Sequence, residues 1–341
     1  MKKTLLALTA ALLTLATAAC ASGEGDDERT TLVISYQDTA FPALIEASGL
    51  LDGADFDIEW ANLSGPASNL QALYSGAIDL GHMGDTSLTI EQASSDTEWT
   101  EENAPLRIVA GWRSARDDEH SPLVTAVRTS SGIDDIAEAR GHAWAYNFGG
   151  YNHAQYLISL VQAGLSEDDI EPTQFADGAS SAAAFNNGEV DVYSGAQGAI
   201  LSSLNSGDAR ILLRDSDTDI PALNVWTARS DVLDDPAKDA ALQDFFERLS
   251  GYFDWHAEHP DEVKEILKSS LKLDDERTEF EYIVRGGAFQ TFHDDLLAEE
   301  QAVAQSLYDG GAIERLPEVS ISFDGRYNEA QGAVESAAEG R

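Results

Sequence analysis

The sequence predicts an α/β fold of two lobes with a ligand cleft between them, and three observations support this fold class. The chain has 341 residues, which is room for about two domains of ~150 residues each. From Thr31 onward, short β-rich runs alternate with helical patterns, and this alternation starts again near His142. Repeated strand–helix units are typical of a parallel sheet with helices on both faces. Two such series therefore predict two lobes.

The first lobe begins with predicted strands and helices in strict alternation. Pro42 and Pro66 stand near helix starts, where a missing N–H costs little, and Gly49 and Gly76 stand near helix ends. The predicted strands are residues 31–37, 56–60, 78–84 and 107–112. The predicted helices between and after them are residues 41–49, 65–76 and 85–95.

The second series shows the same rhythm and leads into a helical region. Leu157, Ile158 and Val161 recur at helical spacing before Gly164. The first series ends with a predicted strand at residues 121–128. In the second series, strands are predicted at residues 142–147, 171–176, 190–195, 209–215 and 221–229, and helices at residues 149–164, 180–188 and 196–207. From about residue 236 to residue 308 the pattern is mostly helical.

The predicted first lobe is discontinuous in sequence. We assign residues 31–127 and 222–320 to lobe 1, with the C-terminal helices, and residues 128–221 to lobe 2, so that the chain crosses between lobes near Val127 and Ala222. Ligands of open α/β sheets bind outside the carboxyl ends of the strands. The strand-to-helix turns of two facing lobes are therefore expected to line the cleft.

The N-terminus has the features of an export signal. Lys2 and Lys3 precede a 16-residue uncharged run, Thr4 to Ala19, which is too short to span a bilayer and suits a signal peptide over residues 1–19. Small residues and then Cys20, the only cysteine, resemble the bacterial lipobox, although Thr17 stands where that motif usually has Leu. The resemblance implies a lipid on Cys20, a flexible linker over residues 20–30, and a protein anchored at the outer face of the cytoplasmic membrane. An ordinary secretory signal with an incidental cysteine is the alternative.

Charge and cysteine content exclude several classes of function. With 21 Lys+Arg against 61 Asp+Glu, the net charge is −40, which argues against nucleic acid and against docking flat on anionic lipid. One cysteine excludes an intramolecular disulfide framework and a multi-cysteine zinc site. The sequence contains no GxSxG, HExxH, GxGxxG or P-loop motif. We therefore expect neither an enzyme nor a bound metal or cofactor.

Four motifs occur in order at compatible distances between Thr31 and Arg229: ISYQ, SGPASNLQALYSGAIDLGHMGDTS, DDIAEARGHAWAYNFGGYNHAQYLISLVQAGL and FNNGEVDVYSG. Together they resemble the substrate-binding proteins of ABC importers for aliphatic sulfonates, taurine and nitrate, including their pyrimidine-binding relatives. The resemblance implies a periplasmic-binding-protein fold of type II that closes on one small solute. It also implies a membrane permease and a separate ATPase as partners, with no chemistry on the binding protein itself.

Three predicted turns place glycine at the start of a helix, where free backbone N–H groups and the helix dipole bind anions. These turns are Gly65–Pro66, Gly84 before Asp85, and Gly149–Gly150 before Tyr151. A sulfonate, carboxylate or nitrate could be held there without a nearby lysine. Each glycine could instead serve only its own tight turn.

Polar and aromatic side chains near the same strand ends complete the candidate ligand-binding set. They are Gln37, Asp85, Thr86, Arg113, Tyr151, Asn152, His153, Tyr193 and Gln197. Asp85 has the alternative role of a helix N-cap, His153 that of a solvated residue at the cleft edge, and Arg113 that of a member of a surface ion-pair cluster with Arg116.

The neighbourhood of Tyr193 bears on the ligand class. Sulfonate-binding relatives often carry an aromatic–acidic pair where this chain has Tyr193 and Gln197, so a missing carboxylate argues against taurine. Tyr193, Trp112 and Trp226 could instead pack an apolar or aromatic body. The sequence thus favours an extracytoplasmic binding protein for an aliphatic sulfonate-like anion. Binding of a pyrimidine or another uncharged or aromatic solute, and a sensor role in place of import, are the alternatives.

Overall fold

The computed structural model describes residues 29–218 and 220–332. The predicted signal peptide, Cys20 and almost all of the predicted linker lie outside the described residues. Within the described ranges, the chain folds into two α/β units, each built on its own β-sheet. None of the helices in these ranges has both the length and the hydrophobicity that a bilayer-spanning segment requires.

The first unit opens with the predicted alternation of strands and helices. Its strands are β1 (Thr30–Tyr36), β2 (Phe56–Asn62), β3 (Leu80–Gly84) and β4 (Leu106–Ser114), and its helices are α1 (Ala40–Ser48), α2 (Pro66–Tyr74) and α3 (Thr86–Ser94). Pro66 occupies the first turn of α2, and Gly49 follows α1 in the left-handed conformation. The helix boundaries predicted from proline and glycine therefore agree with the structure to within about two residues.

The second unit takes the middle of the chain. Its strands are β5 (Val124–Arg128), β6 (Ala143–Asn147), β7 (Glu171–Phe175), β8 (Val192–Gly195) and β9 (Ala209–Arg214). Its helices are α4 (Gly150–Ala163), α5 (Gly178–Asn186) and α6 (Leu201–Asn205). The predicted division after residue 127 falls within β5, and the one after residue 221 falls in the connection that follows β9.

The chain then returns to the first unit. This part contains β10 (Leu223–Arg229), α7 (Ser230–Leu233), α8 (Pro236–Leu249), α9 (Tyr252–Glu258), α10 (Pro260–Leu271), α11 (Asp275–Arg285), β11 (Gly287–Phe289) and α12 (Asp294–Asp309). The short strand β11 was not predicted, because its three residues are too few to show an alternating pattern.

The predicted parallel pairing holds for β1 with β2 and β3 and for β6 with β7 and β8, but each sheet also contains antiparallel strands. The strand orders are β11-β4-β10-β3-β1-β2 in the first sheet and β7-β6-β8-β5-β9 in the second. Strand β10 runs antiparallel to both β3 and β4, and β5 runs antiparallel to both β8 and β9. Each of these two strands enters its sheet from the opposite unit, without the helical crossover that makes neighbouring strands parallel.

Apolar clusters fill the space between each sheet and its helices. In the first unit, Leu32 and Ile34 of β1 are fully buried beside Phe245 of α8. In the second unit, Trp144 and Tyr156 are fully buried between β6 and α4. Helix α12 contributes to the cores of both units: its Leu296 packs into the first, and its Val303 and Leu307 pack into the second.

Candidate ligand-binding site

A cavity of about 290 Å³ lies between the two units. The first unit lines it with the ends of β1, β3 and β4 and with one side of α11, and the second unit lines it with the start of α4 and the turn after β8. Seven of the predicted residues form part of the wall: Gln37, Pro66, Gly84, Gly149, Gly150, Tyr151 and Asn152. The prediction that strand-to-helix turns face a common cleft therefore agrees with the geometry.

Glycines allow the two units to touch directly at the edge of this cavity. A Cβ atom added to Gly84 would lie only 2.6 Å from the backbone nitrogen of Tyr151 in the opposite unit. One added to Gly149 would lie 2.9 Å from Cβ of Pro66, and one added to Gly65 would lie 2.8 Å from the carbonyl oxygen of Ala176. Contacts this close leave no room for any larger residue, so the structure represents a closed arrangement of the lobes.

The start of α4 presents its backbone to the cavity. Gly149 precedes the helix with φ +77° and ψ 160°, a conformation that L-residues with a side chain rarely adopt. The N–H groups of the first helical turn have no partner within the helix, and Gly150, Tyr151 and Asn152 occupy that turn. The Tyr151 hydroxyl donates to Oδ1 of Asn224 at 3.2 Å, across the cleft. This turn can therefore donate hydrogen bonds to an anionic group.

Three stacked rings form the apolar side of the wall. The imidazole of His82 is nearly parallel to Phe41 and to Trp112, at centroid distances of 5.2 and 5.3 Å. Those two rings are themselves 6.3 Å apart, so the three ring centroids form a triangle. Burial lowers the pKa of His82 to about 4, so this ring is neutral at pH 7. Gln37 donates from Nε2 to the carbonyl oxygen of His82 at 2.8 Å. Trp226, which the sequence also offered as a ligand contact, is 2% exposed and belongs to the core beneath this wall.

Four charged side chains of the wall form one ion-pair network. Arg285 donates from Nε to Glu281 at 2.9 Å and from Nη1 to Asp38 at 3.1 Å. Arg277 lies one helical turn before Glu281 on α11 and donates to the same carboxylate at 2.8 Å. Burial alone would raise the pKa of Glu281 and of Asp38, but the arginines outweigh it and hold both below their usual values. Both carboxylates are therefore ionised at pH 7.

Sequence reasoning missed every one of these charged residues. Asp38 follows β1 directly and could have been found from its place at a strand end. Arg277, Glu281 and Arg285 recur every four residues on α11, which signals a charged stripe on a helix face. That stripe does not reveal that α11, some 240 residues after β1 in the chain, covers the cleft.

Asp85 and Thr86 lie behind the wall and serve the backbone. The Asp85 carboxylate accepts hydrogen bonds from the Thr86 nitrogen at 2.5 Å and from the Leu223 nitrogen at 2.6 Å. Both side chains are about 1% exposed. The capping interpretation of Asp85 thus fits the structure, with the additional role of fixing the start of β10.

The remaining candidates are engaged elsewhere. Arg113 pairs with Glu299 of α12. His153 accepts from the Gly149 nitrogen at 3.3 Å and stacks on Tyr146.

Tyr193 and Gln197 also lie outside the cavity wall. The Tyr193 ring is fully buried, and its hydroxyl donates to the Ala196 carbonyl at 3.2 Å. Gln197 is bonded to the backbone of Ser121 and Glu119. The sequence analysis argued against taurine because no carboxylate stands beside Tyr193. That argument no longer holds, because the carboxylates of the cavity wall are Asp38, which follows β1, and Glu281 on α11.

Comparison with known proteins places the chain in a family. A family model described as "NMT1/THI5 like" matches residues 46–268. The chain belongs to the NMT1/THI5-like family. A putative aliphatic sulfonates-binding protein of Escherichia coli is 31% identical over 155 residues, which are 46% of this chain and 44% of that protein. The family resemblance predicted from the ordered motifs is confirmed.

Solved structures of similar shape agree with the fold. The alkanesulfonate-binding protein SsuA from Xanthomonas axonopodis pv. citri, solved with bound MOPS, superposes with a TM-score of 0.73 at 21% identity, covering 86% of this chain and 98% of that one. The periplasmic aliphatic sulphonate binding protein SsuA from Escherichia coli gives a TM-score of 0.66 at 22% identity, covering 86% and 91%. The predicted two-lobed periplasmic-binding-protein fold of type II is confirmed.

Proposed function

We propose that this member of the NMT1/THI5-like family is the extracytoplasmic solute-binding component of an ABC importer. It holds one small solute between its lobes and delivers it to a membrane permease that a separate ATPase drives, without altering the solute chemically. A lipid on Cys20 would keep the protein at the outer face of the cytoplasmic membrane. The observation that carries the proposal is the 290 Å³ cavity enclosed by strand-to-helix turns of both lobes.

The ligand class that the wall supports best is a small organic anion of the sulfonate type. The first turn of α4 offers backbone N–H groups, as required for a tetrahedral group with three oxygens. Arg285 uses Nε and Nη1 on carboxylates, which leaves Nη2 for a ligand oxygen. The two SsuA proteins and the 31% identical relative are described as sulfonate-binding proteins, which points in the same direction.

An uncharged aromatic solute, such as a pyrimidine, is the second candidate. The observation that favours it is the cluster of nearly parallel rings of Phe41, His82 and Trp112, since aromatic faces attract flat rings. In that case the same fold would bind a different solute, and the turn at α4 would contact the carbonyl or hydroxyl groups of the ring.

Isothermal titration of the purified protein tests the proposal. The panel consists of ethanesulfonate, isethionate, taurine, a morpholine sulfonate, nitrate and an aminopyrimidine. We expect at least one sulfonate to bind and the pyrimidine to bind more weakly. Binding of the pyrimidine alone would replace the first candidate by the second, and no binding by any sulfonate would contradict the sulfonate assignment.

A closure variant provides the matched control. In Gly84→Ala the new methyl group meets the backbone of Tyr151 only when the lobes close, so we expect at least about tenfold weaker binding with little change in the unfolding temperature. Gly251→Ala, whose methyl group would meet only a Leu50 side chain at 3.5 Å, should bind as the wild type does.

Loss of sulfonate uptake in a strain lacking the gene would distinguish an importer subunit from a sensor.

A further inference from the structure

Helix α11 covers one side of the cavity but is attached to the first lobe. Phe280 and Glu281 of this helix line the cavity, while Lys264 of α10 pairs with Glu279 at 2.6 Å. Helix α10 in turn packs against α1 of the first lobe. Because α11 belongs to the first lobe, its contacts with the second lobe form only while the cleft is closed.

The second lobe holds the ring of Phe280 between a glycine and a histidine. A Cβ atom added to Gly198 would lie 2.9 Å from Cδ1 of Phe280, so only a residue without a side chain fits there. The imidazole of His120 lies 5.3 Å from the Phe280 ring between centroids, tilted by 45°. Aromatic pairs at this spacing attract each other beyond the area that they bury. Gly198 and His120 therefore form a socket for Phe280, which is 5% exposed.

Gln197 fixes the position of this socket. Its Nε2 donates to the carbonyl oxygen of Glu119 at 2.8 Å, and its Oε1 accepts from the nitrogen of Ser121 at 3.0 Å. One side chain thus holds the backbone on both sides of His120, and Gly198 follows it directly in the chain. Gln197, which the sequence offered as a ligand contact, positions the socket instead.

A second contact between α11 and the second lobe lies farther from the cavity. Asn205, at the end of α6, donates from Nδ2 to Oε1 of Glu276 in the first turn of α11, at 2.7 Å. Both residues line a second hollow of about 820 Å³, outside the ligand cavity. Phe280 lines the cavity and this hollow alike, so its ring separates the two.

We infer that these contacts form a latch that controls how fast a bound solute escapes. The latch consists of Phe280 in its socket and of the hydrogen bond between Glu276 and Asn205. It rests on the proposed function, to which it adds a control of residence time. Because the latch contacts exist only in the closed form, they stabilise that form over the open one. A solute enters the open form and leaves after reopening, so the latch lowers the dissociation rate and leaves the association rate unchanged.

Removal of the outer contact tests the latch, because Asn205 and Glu276 lie outside the cavity wall. We expect Asn205→Ala and Glu276→Ala each to raise the dissociation rate of ethanesulfonate about threefold or more, with an unchanged association rate. The double variant should dissociate no faster than the single ones, since the two residues make one interaction. Stopped-flow mixing measures both rates through tryptophan fluorescence, with Trp112 of the cavity wall as reporter.

Glu279→Ala is the matched control. It removes the same charge from the same helix, but Glu279 pairs with Lys264 of its own lobe, so both rates should equal those of the wild type.

His120→Ala tests the socket without changing the cavity wall, because His120 lines only the outer hollow. It should raise the dissociation rate as well. His120→Phe keeps a ring against Phe280 and should restore the wild-type rate.

The outcomes separate the latch from the function on which it rests. Unchanged dissociation rates in Asn205→Ala, Glu276→Ala and His120→Ala overturn the latch and leave the solute-binding function standing. An equal rise in Glu279→Ala also overturns it, since the cause would then be the charge of the helix. If ethanesulfonate does not bind, the solute of the titration panel that binds most tightly replaces it, because the latch does not depend on the solute class. If no solute of the panel binds, the proposed function fails, and the inference fails with it.

Discussion

Asp85 and Glu300 form a buried carboxyl pair where β10 enters the first sheet. The Asp85 carboxylate accepts a hydrogen bond from the backbone nitrogen of Leu223, and the buried carboxyl group of Glu300 on α12 neighbours Asp85. Burial raises the pKa of Glu300 well above its ordinary value, and the neighbouring Asp85 raises it further. Glu300 is therefore protonated in the folded protein at pH values where it is ionised in the unfolded chain.

This pair predicts a pH-dependent stability that one substitution removes. The pKa of Glu300 is higher in the folded protein than in the unfolded chain, so protonated Glu300 stabilises the fold fully below its ordinary pKa of 4.5. As pH rises from there toward the folded pKa, the free energy of unfolding falls by at most about 1.4 kcal/mol per pH unit. Glu300→Gln keeps a donor for Asp85 and cannot ionise. We expect its free energy of unfolding in urea to exceed that of the wild type by a margin that grows between pH 5 and pH 8.

The control for this prediction lies on the same helix. Asp309→Asn changes an exposed carboxylate of α12 and should differ from the wild type by a margin that is nearly independent of pH. If the difference in free energy of unfolding between Glu300→Gln and the wild type were also independent of pH, Glu300 would not be protonated in the folded protein.

Helix α4 illustrates how one element serves both folding and binding. Gly149 precedes it and Gly164 follows it, both with positive φ, but only Gly149 faces the other lobe across the cleft. At Gly164, which is in the left-handed helical region, a side chain should cost about 1–2 kcal/mol from backbone strain. At Gly149, whose ψ of 160° lies in a region almost exclusive to glycine, the cost should approach about 3 kcal/mol.

The two ends of α4 therefore provide a matched pair of variants. We expect both Gly149→Ala and Gly164→Ala to lower the unfolding temperature, with the larger loss in Gly149→Ala. Only Gly149→Ala should lose ligand affinity, by about tenfold or more, because its methyl group would meet Pro66 at 2.9 Å while that of Gly164 meets nothing within 4 Å. Equal ligand affinity of the two variants would contradict the role of this turn in closure.

Much of the element structure could be predicted because the signals are local. Proline at the start of α2, glycine after α1 and α4, and the apolar spacing within α4 fixed these helices to within about two residues. The turns at Gly84 and Gly149 were found for the same reason. The charged part of the wall was not found, because Arg277 and Arg285 reach the cavity only through long-range packing of α11, which leaves no local pattern.

The same limit explains the candidates that the structure removes from the wall. Asp85 and Arg113 stand at strand ends, as ligand-binding residues often do, but each has a partner that is distant in sequence: Leu223 for Asp85 and Glu299 for Arg113. A strand end indicates the correct edge of the sheet. It does not indicate which side chains of that edge remain available to a ligand.

For the whole molecule, the dominant quantity is the net charge of −40. Repulsion among surface carboxylates destabilises the compact state, and salt screens it, since the Debye length falls from about 10 Å at 0.1 M to about 3 Å at 1 M. We expect the unfolding temperature to rise between 0.05 and 1 M salt, by about 2 °C for each kcal/mol of repulsion relieved.

The nature of the salt provides the control for this prediction. Sodium chloride and potassium chloride should act alike, because screening depends on ionic strength rather than on a specific ion. If the unfolding temperature rises in neither salt, repulsion among the surface carboxylates does not destabilise the folded protein measurably at low ionic strength.

Helix α12 carries side chains into the cores of both lobes, with Leu296 in one and Val303 and Leu307 in the other. Unfolding of either lobe would therefore expose the apolar residues of one half of this helix and destabilise the packing of the other half. The two lobes should behave as a single cooperative folding unit, although each has its own sheet. We therefore expect any opening of the cleft to be a rotation of the lobes about α12, because this helix is packed into both of them.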